Sequence, residues 1–500
     1  MNKTVLFICA VCFACPATDI GLSVHDDTLA NGLRVIVVRD TTVAVVSCRL
    51  YYFVGSMYEG PGTTGLSHMY EHMMFKGTRR IGTSDYKKEL PYMGKIDSID
   101  AVIQRKRRGG TADGDAGLTL LRKQISALLD SQRVYIRKDE LWDIYLNNGG
   151  TNLNAWTGDD MTAYIVTLPK NKIELFYWLE ADRMANPVLR EFNSERDVVM
   201  DERHMRYENR PLNRYFEQLL SRFYIAHPYR QPTIGWESDI RAYTRAKMEA
   251  HVKKFYTPDN ALIVLNGNVD PGKALADIRR YFGKIKRAAV PKEEVVTREP
   301  VPAGQTRFTV YDQAEQRIDI LFHTPGYPDE ALYKLEVLEG VMNGKSGTLY
   351  KRLVLEEKLC TNAGAANSIQ LQEGDFHVFA TLKEGSDPAR VEAVLLEEIR
   401  ALATRAPDER EITRIKNSIR MDFTTRLRSL EGLSDQLAWF ERLGSWRDIN
   451  TYPAKVAAVS PESVPAAVRT WLAPERATIG LLLRKQSEPA TQPVSQEEAE

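Results

Sequence analysis

The residues best placed to do chemistry are His68, Glu71 and His72, within His68-Met69-Tyr70-Glu71-His72. On a helix, positions four apart share a face, so His68 and His72 can aim two imidazoles at one metal ion. Zinc accepts such nitrogen ligands, and a catalytic zinc takes three protein ligands and keeps a position for water. Glu71 sits beside His72, offset around the helix, where its carboxylate can take a proton from water that the ion acidifies. This order, His-x-x-Glu-His, is the inverted zincin motif. The competing reading is a pair of histidines on an amphipathic helix without metal, since the chain has 8 histidines. Gly65-Leu66-Ser67 before the motif and Gly77-Thr78 after it bound a short helix, which disfavours that reading. A third ligand has to come from elsewhere in the chain.

The elements around the motif can be read from periodicity. Leu33–Val38 and Val43–Val54 are rich in β-branched and aromatic residues and read as strands. Gly65–Phe75 reads as a helix. Asn147–Thr167 reads as turn then strand, and Glu195–Tyr207 as a helix. Ala261–Leu265 reads as a short strand. A second unit follows, with strands at Arg307–Tyr311, Ile318–His323, Phe376–Leu382 and Ala477–Leu483, and helices at Tyr333–Met342 and along Glu409–Arg442. The pattern predicts an α+β protein of two related domains, each an antiparallel sheet packed by helices. The expected boundaries are 23–286 for the first domain, 287–304 for a proline-containing charged linker, 305–485 for the second domain, and 486–500 for a disordered acidic tail.

The 500 residues include 67 basic and 67 acidic side chains, a neutral balance that argues against a nucleic-acid partner. Beyond the N-terminus no stretch approaches the length of a membrane span. Residues 1–17 hold Lys3 and a short apolar run from Val5 to Ala14, and read as a signal peptide. That implies export to the periplasm or envelope, with lipid anchoring at Cys15 the less favoured alternative. Cys48 and Cys360 read as unpaired core residues, with a disulfide the alternative in an exported chain.

The segment Gly65–Thr78 resembles the active-site segment of the M16 metallopeptidases, the family of pitrilysin, insulin-degrading enzyme and the mitochondrial processing peptidase. Gly149–Thr157 is similar to the family's glycine and asparagine-alanine strand, Glu195–Glu202 to its third-ligand helix, and His227-Pro228-Tyr229 and Pro258–Asp270 to further landmarks. The resemblance implies that Glu202 completes a site for one Zn2+ per chain and that Glu195 is a supporting acid near it. Their seven-residue spacing puts both carboxylates on one helix face, where the plainer alternative is a pair of solvated acids. It also implies that Asn154 and Ala155 lie on an edge strand to which a peptide or unfolded polypeptide adds.

This sequence departs from the family pattern twice. The stretch from His72 to Glu202 is longer than in typical relatives, and the excess falls in a charged segment at about 91–138. That segment is expected to protrude as a solvated helical hairpin. The second departure concerns an Arg and a Tyr, seven residues apart, that help bind and stabilise the substrate carbonyl in relatives with a complete site. Val354 and Thr361 stand in those places, with Tyr350 and Arg352 nearby at the wrong spacing. The implied activity is a zinc endopeptidase working as the zinc subunit of a hetero-oligomer, beside a related subunit that lacks zinc, or as a homodimer. The alternative is a non-catalytic structural or chaperone-like subunit.

Overall fold

The computed structural model describes residues 22–485. The expected signal peptide and acidic tail lie outside these residues. The first half is built on a six-stranded sheet of β1 (Val24–Thr28), β2 (Arg34–Arg39), β3 (Val45–Tyr52), β4 (Thr151–Thr157), β5 (Thr162–Pro169) and β6 (Ala261–Gly267), in the order β1-β2-β6-β3-β5-β4. The second half has β7 (Thr306–Asp312), β8 (Arg317–Pro325), β9 (Cys360–Ser368), β10 (Glu373–Leu382) and β11 (Thr478–Arg484), in the order β7-β11-β8-β10-β9. Both sheets are antiparallel except for one parallel pair each, β2 with β6 and β7 with β11. The fold is two related α+β halves. The sequence reading missed β1 and β9 and took the hairpin of β4 and β5 for one strand.

The central strands of the first sheet are apolar on both faces because both are covered. Leu50, Tyr52, Val35, Ile263 and Leu265 face one core, shared with α1 (Leu66–Met73). Alternate residues Ile36, Tyr51, Leu262 and Val264 face a core formed with second-half residues such as Leu433, Leu437 and Phe440. The Leu430–Leu443 helix is also pinned to this face by polar contacts. Asp435 accepts from Tyr51 at 2.7 Å and pairs with buried Arg49 at 3.3 Å. The two halves therefore share one continuous apolar core. Between them, residues 287–304 form neither helix nor strand but are strapped down. Glu299 accepts the backbone N–H groups of Ile225, Ala226 and His227.

The long connection after α1 is a helical hairpin of α2 (Tyr86–Arg108) and α3 (Ala116–Arg133), followed by α4 (Glu140–Asn147). Asp85 and Asp115 cap the two hairpin helices, and Ile96, Ile103, Leu118 and Ile125 form a small core of their own. The expected protrusion needs correction. The inner face of α2 is docked on the body rather than standing clear of it. Buried Glu89 pairs with buried Arg190 at 3.0 Å. Asp100 pairs with Arg196 and accepts from Asn193, both at 3.2 Å. A buried carboxylate with a bidentate guanidinium partner is a fixed joint rather than a solvated face. Cys48 and Cys360 are buried and unpaired, one in each half.

Candidate active site

The site begins with how α1 is held. Gly65 precedes it with φ +87, and an added Cβ there would lie 2.3 Å from the Ile234 carbonyl oxygen. Gly235 packs against Thr64 and Gly65 just as tightly, so this close approach of two backbones requires glycine on both sides. The free N–H groups of Gly65 and Ser67 donate to the buried Glu59 carboxylate at 2.5 and 2.6 Å. An acid at a helix N-terminus is favoured by the helix dipole as well as by these bonds. Leu66, Met69, Tyr70 and Met73 anchor the apolar face of α1. Helix α5 (Ile173–Ala185) leads into α6 (Phe192–Arg203), and His68, Glu71 and His72 are left on the face toward α6 and β4.

His68, His72 and Glu202 come together, with one ligand atom from each all within 4.8 Å of one another. Glu202 Oε2 lies 3.3 Å from His72 Nε2 and 3.6 Å from His68 Nε2. Glu195 sits behind this cluster, with Oε2 3.6 Å from His72 Nδ1 and Oε1 2.5 Å from Lys76 Nζ. Glu71 lies beside the cluster and accepts a hydrogen bond from the Thr157 hydroxyl at 2.6 Å. Asn154 and Ala155 are on β4, the outer strand of its sheet, paired only with β5. Asn154 is exposed, while Ala155 is half-buried against the core that holds α1.

The electrostatics of the cluster follow from burial and from its carboxylates. Burial holds the His68 imidazole neutral, with its pKa down to about 4, and a charge on His72 adds to the effect. Burial acts the same way on His72, but hydrogen bonds to Glu195 and Glu202 outweigh it and push that ring up to about 9. Burial raises Glu71 above the usual carboxylate range against the opposing Thr157 bond. Glu195 and Glu202 are lowered despite burial, chiefly through His72. Glu195 and Glu202 bring negative charge up to the two rings. Two imidazole nitrogens and a carboxylate oxygen that favour a cation form a donor set suited to zinc.

Several residues of the site were not singled out in the sequence. Thr157 holds the carboxylate of Glu71, and its position two residues after Ala155 on the same strand face was the available signal. Lys76 and Arg206 neutralise Glu195 and Glu202; Arg206 Nε lies 3.0 Å from Glu202 Oε1. Glu59 gave no signal, because only the folded chain brings it to the start of α1.

Two family models match the chain. One is described as Insulinase (Peptidase family M16), over residues 34–107, and the other as Peptidase M16 inactive domain, over residues 242–419. The chain belongs to the M16 peptidase family. Among curated relatives it is 25% identical over 415 residues to the zinc protease PqqE of Helicobacter pylori, covering 80% of each chain. It is also 25% identical over 426 residues to an uncharacterized zinc protease of Mycobacterium leprae, covering 83% of this chain and 80% of that one. The fold is similar to the crystal structure of a protease from Helicobacter pylori, with TM-score 0.78 and 20% identity over 92% of this chain and 99% of that one. It is similar also to the periplasmic protease PqqL from Escherichia coli, with TM-score 0.69 and 16% identity over 92% of this chain and 47% of that one.

Proposed function

We propose that this chain is a zinc-dependent endopeptidase that hydrolyses peptides or unstructured polypeptides, with one zinc per chain held by His68, His72 and Glu202. The observation that carries this reading is the convergence of those three side chains beside Glu71 and an open sheet edge. When bound, zinc supplies Lewis-acid polarisation of the scissile carbonyl and lowers the pKa of the attacking water. Glu71 takes that water's proton and returns it to the leaving amine. Its raised pKa suits both halves of the transfer. Thr157 fixes Oε2 of Glu71 by donating to it. Glu195 orients His72 through Nδ1, the outer support that ligating histidines usually have. The free edge of β4 offers main-chain donors and acceptors at Asn154 and Ala155 for a peptide that adds as a strand.

The working enzyme is proposed to be a hetero-oligomer in the cell envelope, with this chain as its zinc subunit. Val354 is packed against the apolar core, and the Thr361 hydroxyl is engaged with the Thr381 carbonyl. Arg352 is committed to Glu357, Glu397 and Glu398. None of these is free to stabilise a substrate oxyanion, a contribution worth about a hundredfold or more in rate. The match to PqqL, which covers 47% of that protein, supports a partner of similar build. Export rests on the apolar N-terminal run of the sequence. No helix among the described residues is long and apolar enough to cross a membrane.

The test is cleavage of a quenched fluorescent peptide library by the purified chain, with metal content measured on the same sample and Glu71→Gln as control. Bound zinc with weak cleavage supports the divided site. Strong cleavage lost in Glu71→Gln supports the chemistry and removes the need for a partner. Absent metal overturns the reading in favour of a non-catalytic subunit.

A further inference from the structure

A cavity of about 840 Å³ lies between the β4 edge and the helices Glu409–Arg426 and Leu430–Leu443 of the second half. Trp156 of β4 forms part of its wall. Trp156 immediately precedes Thr157, the residue that holds Glu71, so the cavity starts one residue from the proposed chemistry. Side chains alternate along a strand. Leu153 and Ala155 face the core that holds α1, while Trp156 faces the cavity. A peptide added to β4 alternates in the same way and presents every second side chain to the cavity side.

Carboxylates outnumber guanidinia in the cavity lining, with Glu336, Glu339, Asp422 and Asp435 against Arg414 and Arg426. Glu336 and Glu339, both half-buried, project from the Ala331–Met342 helix into its wall. Glu336 Oε1 accepts the Tyr452 hydroxyl, but Oε2 is buried with no hydrogen-bond partner. Leaving a buried carboxylate oxygen unpaired costs free energy that a donor entering the cavity would recover. Burial raises both acids, Glu339 to about 7. The lining guanidinia, Arg414 and Arg426, are exposed; the charge of Arg426 reaches Glu336 and lowers it in part, but neither arginine forms an ion pair with Glu336 among the described residues. Trp156 and Trp439 supply aromatic faces in the same wall. Indoles lining the same cavity as the unpaired Oε2 of Glu336 are complementary to a guanidinium or ammonium group.

We propose that this cavity is a specificity pocket for a basic side chain, arginine or lysine, of the bound peptide, with Glu336 as its anchoring carboxylate. The proposal rests on the peptidase reading for its place along the substrate.

The test uses strand-length quenched peptides in which a single arginine, lysine, glutamate or norleucine is moved through every position. At one position, arginine or lysine is expected to raise kcat/KM by about tenfold or more over norleucine, the scale of one hydrogen bond to a charged group. Glu336→Gln should erase that preference and leave the norleucine peptide unchanged. Glu339→Gln, with thermal melts of both variants, supplies a second reading if Glu336→Gln misfolds. Cleavage with no basic preference, a preference that survives both variants, or a preference for glutamate overturns the pocket and leaves the peptidase reading standing. If no peptide is cleaved, the peptidase reading suffers, and fluorescence anisotropy of the same peptides decides the pocket. Tighter binding of the arginine or lysine peptides, lost in Glu336→Gln, supports it; equal binding overturns it.

Discussion

The two halves have one strand plan and opposite contents. In the first, the order β2-β6-β3-β5-β4 has a parallel pair followed by three antiparallel pairs; in the second, β7-β11-β8-β10-β9 repeats it. Each places a helix after the second strand of the shared plan in chain order, α1 after β3 and Ala331–Met342 after β8. Helix α1 carries His68, Glu71 and His72. The Ala331–Met342 helix is filled with Leu332, Leu335, Val337, Leu338, Val341 and Met342, all buried. Both side-chain groups able to hold a metal among the described residues are in the first half. One scaffold thus presents candidate metal ligands where polar residues line the inner helix face, and packing with the wall of the proposed pocket where apolar ones do. Fold and function are set by different residues.

The largest test of this contrast is Glu71→Gln. It should lower kcat by about a hundredfold to ten-thousandfold, the range for a general base, with zinc content and KM little changed. The contrast breaks if residual cleavage persists near the normal rate, for then a group outside α1 does the work. Next is Glu202→Gln. Removing a ligand should weaken zinc binding by more than the roughly hundredfold that outer supports contribute, and mass spectrometry of the intact chain should then find no metal. A zinc equivalent that survives this change would have to be located, because His204, Glu208 and Glu237 form a second group in the same half; only a metal held by second-half residues would break the contrast. Glu195→Gln should be milder, costing about 10–100-fold in zinc affinity or activity through a looser His72. An unchanged affinity would reduce Glu195 to a partner of Lys76.

How much of this could be read in the sequence follows from the range of the interactions. The residues of α1 and the pair Glu195 and Glu202 were legible because three-, four- and seven-residue spacings fix one helix face before any tertiary contact forms. That α6 meets α1 came from family resemblance, not from periodicity. Strand β9 was illegible because Cys360–Ser368 is mostly small and polar, and it is a strand only because β10 pairs with it. The docking of the hairpin was hidden for a related reason. Glu89 and Asp100 look like solvated acids in a charged segment, and their partners Arg190 and Arg196 lie far along the chain.

The smallest expected effect on the reaction comes from the second half. Leu338 is fully buried in the Ala331–Met342 helix, within the core that joins both halves. Leu338→Ala removes packed methyl groups and leaves a cavity, which costs about 2–5 kcal/mol of stability. The variant should melt earlier by calorimetry. At temperatures where it stays folded, its zinc affinity and kcat on a peptide without a basic residue should match the parent chain, because that helix carries no proposed zinc ligand or reacting group. The side chain and its neighbours are apolar, so a change in kcat could not be electrostatic. It would have to travel as a backbone shift through the Leu430–Leu443 helix to β3, whose end leads into α1. A clear fall in kcat without loss of fold would therefore show that the second half tunes the geometry of the first, and that the division between working half and packing half is too sharp.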